Sequence, residues 1–117
     1  MGLLFVYGTL KKGFRNQTYL HDAILLGEHI TQKKYSMYDF NTYPAVARWG
    51  NDAIFGEVYQ ITSIHLAAID ALECYPDFYQ RVSIATPFGD AWMYIVEQAL
   101  CLEKPKLSGD WQTINDD

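Results

Sequence analysis

The chain has 117 residues, half of them hydrophobic and 15% aromatic, which suits one domain with its own core rather than a disordered or fibrous chain. Its net charge of −5 offers no electrostatic footprint for nucleic acid, and no apolar run approaches the ~18 residues that span a bilayer. Two cysteines, Cys74 and Cys101, are too few for a disulfide scaffold and lack the paired spacing of a zinc site.

The first element in the chain is the strand LLFVY (3–7), which runs directly into Gly8-Thr9-Leu10-Lys11-Lys12-Gly13. That glycine spacing matches a phosphate loop, but Phe14-Arg15 stand where such a loop needs Lys and Ser/Thr, so the nucleotide reading fails. What remains is a strand that stops and turns. Gly8 is free to take unusual dihedrals, and the successive N–H groups of Gly8, Thr9 and Leu10 can point to one side as an anion-binding nest. An ordinary loop is the plain alternative.

Further strands are predicted at ILLGEHI (24–30), KYSMYDF (34–40) and AIFGEVYQI (53–61), where the mid-strand Gly56 marks a bend or a close backbone approach. A helix follows at 63–73. Thr62 or Ser63 caps its free N–H groups, Leu66, Ile69 and Leu72 share one face, and Pro76 forbids continuation. The strands FYQRVSIAT (78–86) and AWMYIV (91–96) join through the turn Pro87-Phe88-Gly89-Asp90 as a hairpin. From residue 97 onward the chain reads as irregular apart from the docking of Trp111. The fold class is α+β, a small mixed six-stranded β-barrel with one or two packed helices, chosen because closure removes edge strands.

One residue stands out for its chemistry. Glu73 falls at the C-terminal end of the predicted helix, the negative end of the dipole, where an acid is disfavoured. Leu72, Cys74, Tyr75, Phe78 and Tyr79 surround it in sequence. Burial and the dipole would both raise its pKa toward the range useful for proton transfer; a solvated glutamate at a fraying helix end is the alternative. Cys74 has no assigned base among His21, His29 and His65, and those histidines lack metal-ligand spacing, so no metal and no cofactor are expected. Arg81, two positions after Tyr79, can reach a carboxylate or form a structural ion pair. Trp92 and Tyr94 read as core aromatics first and pocket walls second.

The series Tyr7-Gly8-Thr9-Leu10, Gly13, Asn16, Tyr43-Pro44-Ala45, Gly56-Glu57-Val58-Tyr59, Asp70-Ala71-Leu72-Glu73 and Tyr79-Gln80-Arg81 resembles the gamma-glutamylcyclotransferase-like superfamily. Its small bacterial members and the gamma-glutamylamine cyclotransferases are the nearest in pattern. The resemblance spans residues 3 to about 96 in order, with a further likeness at Gly109-Asp110-Trp111. It implies a small barrel with a cavity at one end, Glu73 as acid/base, and backbone donors from Tyr7, Gly8, Thr9 and Leu10 for the glutamyl part of a substrate. Tyr79, Arg81 and Trp92 are expected to wall that cavity, with Glu73 within one substrate length of the loop donors. Where many relatives place Gly-(Val or Thr)-Pro after the glutamate, this chain has Cys74-Tyr75-Pro76, a bulkier wall.

The implied activity releases 5-oxoproline and an amine from a small gamma-glutamyl compound. A non-catalytic pocket for a small acidic metabolite and a structural protein with a vestigial pocket are the competing readings. The expected setting is a single domain over 1–117, soluble and cytoplasmic, monomer or homodimer, with no nucleic-acid or membrane partner.

Overall fold

The computed structural model describes residues 2–111. In chain order its strands are β1 (Gly2–Val6), β2 (Ile24–Ile30), β3 (Tyr35–Asp39), β4 (Pro44–Asp52), β5 (Phe55–Ile61), β6 (Gln80–Thr86), β7 (Gly89–Ile95) and β8 (Lys106–Leu107). A single α-helix, α1 (Ser63–Leu72), lies between β5 and β6, and short 3-10 turns occupy Gln17–Leu20 and Gln98–Cys101. No helix among the described residues is long and apolar enough to cross a membrane.

Five strands form one sheet in the order β2-β5-β1-β7-β6, and three form a second in the order β4-β3-β8. The central strand β1 explains its own sequence. It pairs antiparallel with β5, Leu4 opposite Tyr59, and parallel with β7, Phe5 opposite Met93. Both its faces are covered: Leu4 and Val6 belong to one apolar cluster with Ile69 of α1, and Phe5 to another with Met37 and Val46 of the second sheet. A strand buried on two sides has no polar face to alternate with, hence the unbroken LLFVY.

The α+β class holds, but the strand count differs from the expected six and no closed barrel is found among the described residues. Among the described residues eight strands make two sheets that meet at one bridge, Ala47 beside Val96, where the Val96 N–H donates to the Val46 carbonyl over 2.9 Å. The unforeseen strand is β4. Its segment PAVARWGND begins with proline, a residue confined to strand starts and edges, and its first four residues are buried while Arg48 and Trp49 are exposed. No alternation survives to announce it. The other surprise, β8, is only two residues long and pairs with Met37 and Tyr38 inside the stretch expected to be irregular.

Other local expectations hold. Thr62 caps α1, accepting from the His65 N–H at 3.3 Å, while the His65 ring Nδ1 accepts from the Thr62 N–H at 3.0 Å. That is a capping box with imidazole in the usual place of a carboxylate or amide. The β6–β7 hairpin turns through Pro87 and Phe88, with Gly89 at φ +124. Gly56 is a close approach, because a Cβ there would run into the Val6 carbonyl oxygen and the Phe5 ring. Trp111 docks against Phe14 with ring centroids 5.2 Å apart.

Candidate active site

Where β1 ends, β4 begins and α1 stops, the chain encloses a cavity of about 240 Å³. Tyr7, Gly8, Thr9 and Leu10 form one side of its lining, and Leu72, Glu73 and Cys74 another. Tyr43, Phe78, Tyr79 and Tyr94 complete an aromatic wall with the Pro44 ring beside them, and Arg15 and Asn16 contribute from the loop beyond Leu10. The volume suits a small metabolite rather than a nucleotide or a polymer.

The loop after β1 is held shut by its own hydrogen bonds. The Lys11 N–H donates to the Gly8 carbonyl at 3.0 Å, and Asn16 returns to Thr9 twice, N–H to carbonyl at 2.9 Å and Nδ2 to Oγ1 at 2.8 Å. Lys11 Nζ donates to the Trp111 carbonyl at 2.9 Å, tying the same loop to the end of the described chain. With the carbonyls of Gly8 and Thr9 so engaged, the N–H groups of Gly8, Thr9 and Leu10 donate to no protein acceptor among the described residues, although Thr9 and Leu10 are buried. Buried N–H groups are almost always paired, so the unengaged donors of buried Thr9 and Leu10, with that of half-buried Gly8 beside them, are free to meet an acceptor atom in the cavity. Gly8 is required for a reason other than the one anticipated. Its φ is not positive; instead, a Cβ there would lie 2.9 Å from Cγ and 3.0 Å from Cδ of the Pro44 ring.

Glu73 is the C-cap of α1. Beyond it the helix closes in a Schellman motif: the Tyr75 N–H donates to the Asp70 carbonyl at 2.9 Å and the Cys74 N–H to the Ala71 carbonyl at 3.2 Å. Cys74 holds the left-handed position of that motif at φ +55, a place that normally belongs to glycine. The turn leaves Glu73 partly buried in the cavity wall, and desolvation raises its carboxyl pKa to about 7.

Three tyrosines feel the Glu73 charge, and in each it reinforces burial in raising the phenol pKa. None donates to it. The Tyr7 hydroxyl donates to the Tyr94 carbonyl at 2.9 Å and accepts from the Val46 N–H at 3.3 Å. Tyr79 donates to the Pro44 carbonyl at 2.7 Å, and Tyr94 to Asp70 Oδ1 at 2.6 Å. Their protons are committed elsewhere, so the Glu73 carboxyl has no hydrogen-bond partner among the described residues. A hydrogen bond to the ionised carboxylate would have lowered its pKa.

Six of the eight anticipated site residues therefore line one cavity: Tyr7, Gly8, Thr9, Leu10, Glu73 and Tyr79. Arg81 and Trp92 do not. Arg81 turns to Asp70, its Nη2 donating to Oδ2 at 3.1 Å and its Nε lying 2.9 Å from Oδ1, and it is stacked between Tyr75 and Trp92 at 4.2 and 4.7 Å from the ring centroids. Trp92 precedes Tyr94 by two positions, about 7 Å along β7, which takes its ring past the cavity to the outer side of that ion pair. Arg15 and Tyr94 were not assigned to the site from sequence. Asn16, named only for its place in the family pattern, proves to close the donor loop.

Comparison with known proteins identifies the family of the chain. The family model "Gamma-glutamyl cyclotransferase, AIG2-like" matches residues 4–113. A Vibrio cholerae protein provisionally named a gamma-glutamylcyclotransferase is 44% identical over 109 residues, covering 93% of this chain and 94% of its own. The solution structure of ytfP from Escherichia coli is 37% identical with a TM-score of 0.75, over 95% of this chain and 96% of that one. A mouse AIG2-like protein shares the fold at a TM-score of 0.83 and 21% identity, over 99% of this chain and 91% of that chain. The chain belongs to the AIG2-like gamma-glutamyl cyclotransferase family, a family of enzymes.

Proposed function

We propose that the protein is a gamma-glutamyl cyclotransferase that releases 5-oxoproline and a free amine from a small gamma-glutamyl compound. Glu73 is the acid/base and the loop at Tyr7 to Leu10 is the recognition element. The single observation that carries the reading is a carboxyl poised near pH 7, unpartnered, in the same cavity as three unengaged backbone N–H groups.

The reaction asks little of the protein beyond these groups. The substrate supplies its own nucleophile, since its α-amine attacks its γ-carbonyl carbon and closes a five-membered ring. Glu73 takes a proton from the α-ammonium, the new C–N bond forms, and negative charge develops on the carbonyl oxygen. Collapse of that intermediate breaks the bond to the leaving nitrogen, which receives the proton held by Glu73. Glu73 then takes the second proton of the ring nitrogen, leaving the lactam N–H, and passes it to the departing amine, which leaves as an ammonium. A carboxyl with its pKa near the working pH exchanges a proton in both directions at low cost. Fixed N–H donors hold the folded substrate and need no reorganisation as charge develops. The tyrosines exclude water and supply an apolar wall, while their own hydroxyls stay engaged with the protein.

The test is 5-oxoproline release across a panel of gamma-glutamyl compounds, namely gamma-glutamyl amino acids, a gamma-glutamyl polyamine and gamma-glutamyl-lysine. Turnover of one member that Glu73→Gln lowers by roughly 10²–10⁴ supports the reading. A wild-type protein that binds 5-oxoproline but turns over none of the panel favours the non-catalytic pocket instead.

A further inference from the structure

We propose that Asp70 and Arg81 are positioning residues that lock the last turn of α1 against β6 and β7, so that Glu73 stays aimed into the cavity. The inference rests on the cyclotransferase reading and extends it to a pair outside the cavity. Asp70 stands three residues before Glu73, on the last turn of the same helix. Its carboxylate accepts from Tyr94 Oη at 2.6 Å and from Arg81 Nη2 at 3.1 Å, with Arg81 Nε 2.9 Å from Oδ1. Only 20% of the Asp70 side chain and 14% of the Arg81 side chain are exposed. Such a partly dry pair, joined by one hydrogen bond and a second charge contact at 2.9 Å, holds its geometry better than a surface ion pair does.

The pair also replaces a standard part of the helix terminus. A Schellman motif is commonly secured by an apolar contact between its third-last helical residue and the residue two beyond the cap. Those positions here are Asp70 and Tyr75. An aspartate offers no apolar surface, and the contact is made through Arg81 instead, whose guanidinium grips Asp70 and lies 4.2 Å from the Tyr75 ring centroid. Trp92 covers its other face at 4.7 Å. One guanidinium thus joins the helix end, the loop after it and both strands of the hairpin. Tyr94 is the link inward, because it lines the cavity with its ring while its hydroxyl is anchored on Asp70. Release of Asp70 would free Tyr94 and the last turn together, and Glu73 would gain water and rotational freedom.

The experiment compares wild type with Asp70→Asn and Arg81→Lys, each alone and in the Glu73→Gln background, using the panel substrate with the highest turnover. Asp70→Asn is expected to lower kcat at least about tenfold while changing KM less than about threefold, because neither residue touches the substrate. Added to Glu73→Gln it should cost nothing further, since a residue acting through Glu73 has nothing left to position. An unchanged kcat, or the same loss with and without Glu73, overturns the inference. Arg81→Lys preserves charge but loses the fork and the stacking, and it serves if Asp70→Asn fails to fold. In that variant a carbon-13 titration of the Glu73 carboxyl, which needs no substrate, should move down toward the ordinary range; an unmoved titration overturns the inference. Should Glu73→Gln keep full turnover, the assignment of Glu73 as acid/base falls by itself, and the titration still decides whether Asp70 and Arg81 hold Glu73 in place.

Discussion

The two sides of one helical turn receive opposite treatment. On the outer side of the end of α1, the Asp70 carboxylate meets a phenol, a guanidinium fork and two covering rings. On the cavity side, three residues later, the Glu73 carboxyl meets three tyrosines whose protons all go elsewhere. Saturation makes Asp70 a structural anchor, and its lack leaves Glu73 able to gain and lose a proton. Residue type does not separate the two acids; the number of donors around each does.

The strongest way to break the contrast is to remove the ionisable group on the cavity side. Glu73→Gln keeps size and hydrogen-bonding capacity but cannot accept the proton, and loss of a general acid/base costs roughly 10²–10⁴ in rate. Unchanged 5-oxoproline release by the variant would sink the assignment.

The same substitution sharpens the contrast in stability. Burial lifts Glu73 from 4.5 to about 7, so the folded state binds its proton more tightly than the unfolded state does. The resulting stabilisation is fully present below about pH 4.5 and is lost as pH rises through about 7. Wild type should therefore lose stability across that window. Glu73→Gln should match it near pH 4 and exceed it at pH 8 by on the order of 1–3 kcal/mol, as read by urea unfolding at each pH. Parallel stability curves at both pH values would show that ionised Glu73 carries no burial cost.

Across the cavity, Gly8→Val should weaken binding of 5-oxoproline by about tenfold or more, whereas Thr9→Ser should leave it within about twofold. A Cβ at Gly8 meets the stiff Pro44 ring, and the Pro44 carbonyl is what holds the Tyr79 hydroxyl. Serine at position 9 keeps the oxygen that Asn16 grips. Equal binding by the two variants in calorimetric titration would remove the loop from the recognition surface.

The smallest expected effect is at the joint between the two sides. Cys74→Gly should relieve the left-handed strain at φ +55 and raise stability by about 0.5–1 kcal/mol after the extra chain entropy of glycine is charged against it. A lower thermal midpoint in the glycine variant would mean that packing of the thiol against the cavity outweighs backbone strain.

What could be read directly was whatever neighbours in the chain decide. The range of β2, the cap at Thr62, the stop before Pro76 and the hairpin turn at Pro87-Phe88 all depend on residues a few positions apart, and each lies where the residue pattern put it. The odd placement of an acid at a helix C-terminus singled out Glu73 for the same reason. Strand β4 escaped because its burial is set by two sheets meeting rather than by alternation along the segment. Arg81 and Trp92 were expected to wall the cavity, yet which side of Tyr94 they occupy follows from Asp70 capturing the guanidinium across a hairpin. Gly8 announced a turn, but its need for glycine comes from Pro44, a residue far along the chain. Tertiary structure alone decided the hydrogen-bond inventory: the Tyr7 proton goes to a carbonyl 87 residues away, Tyr79 to one 35 away, and Tyr94 to a carboxylate 24 away. Local pattern can place a carboxyl at a helix end, but whether it finds a donor there depends on what the rest of the chain brings to meet it.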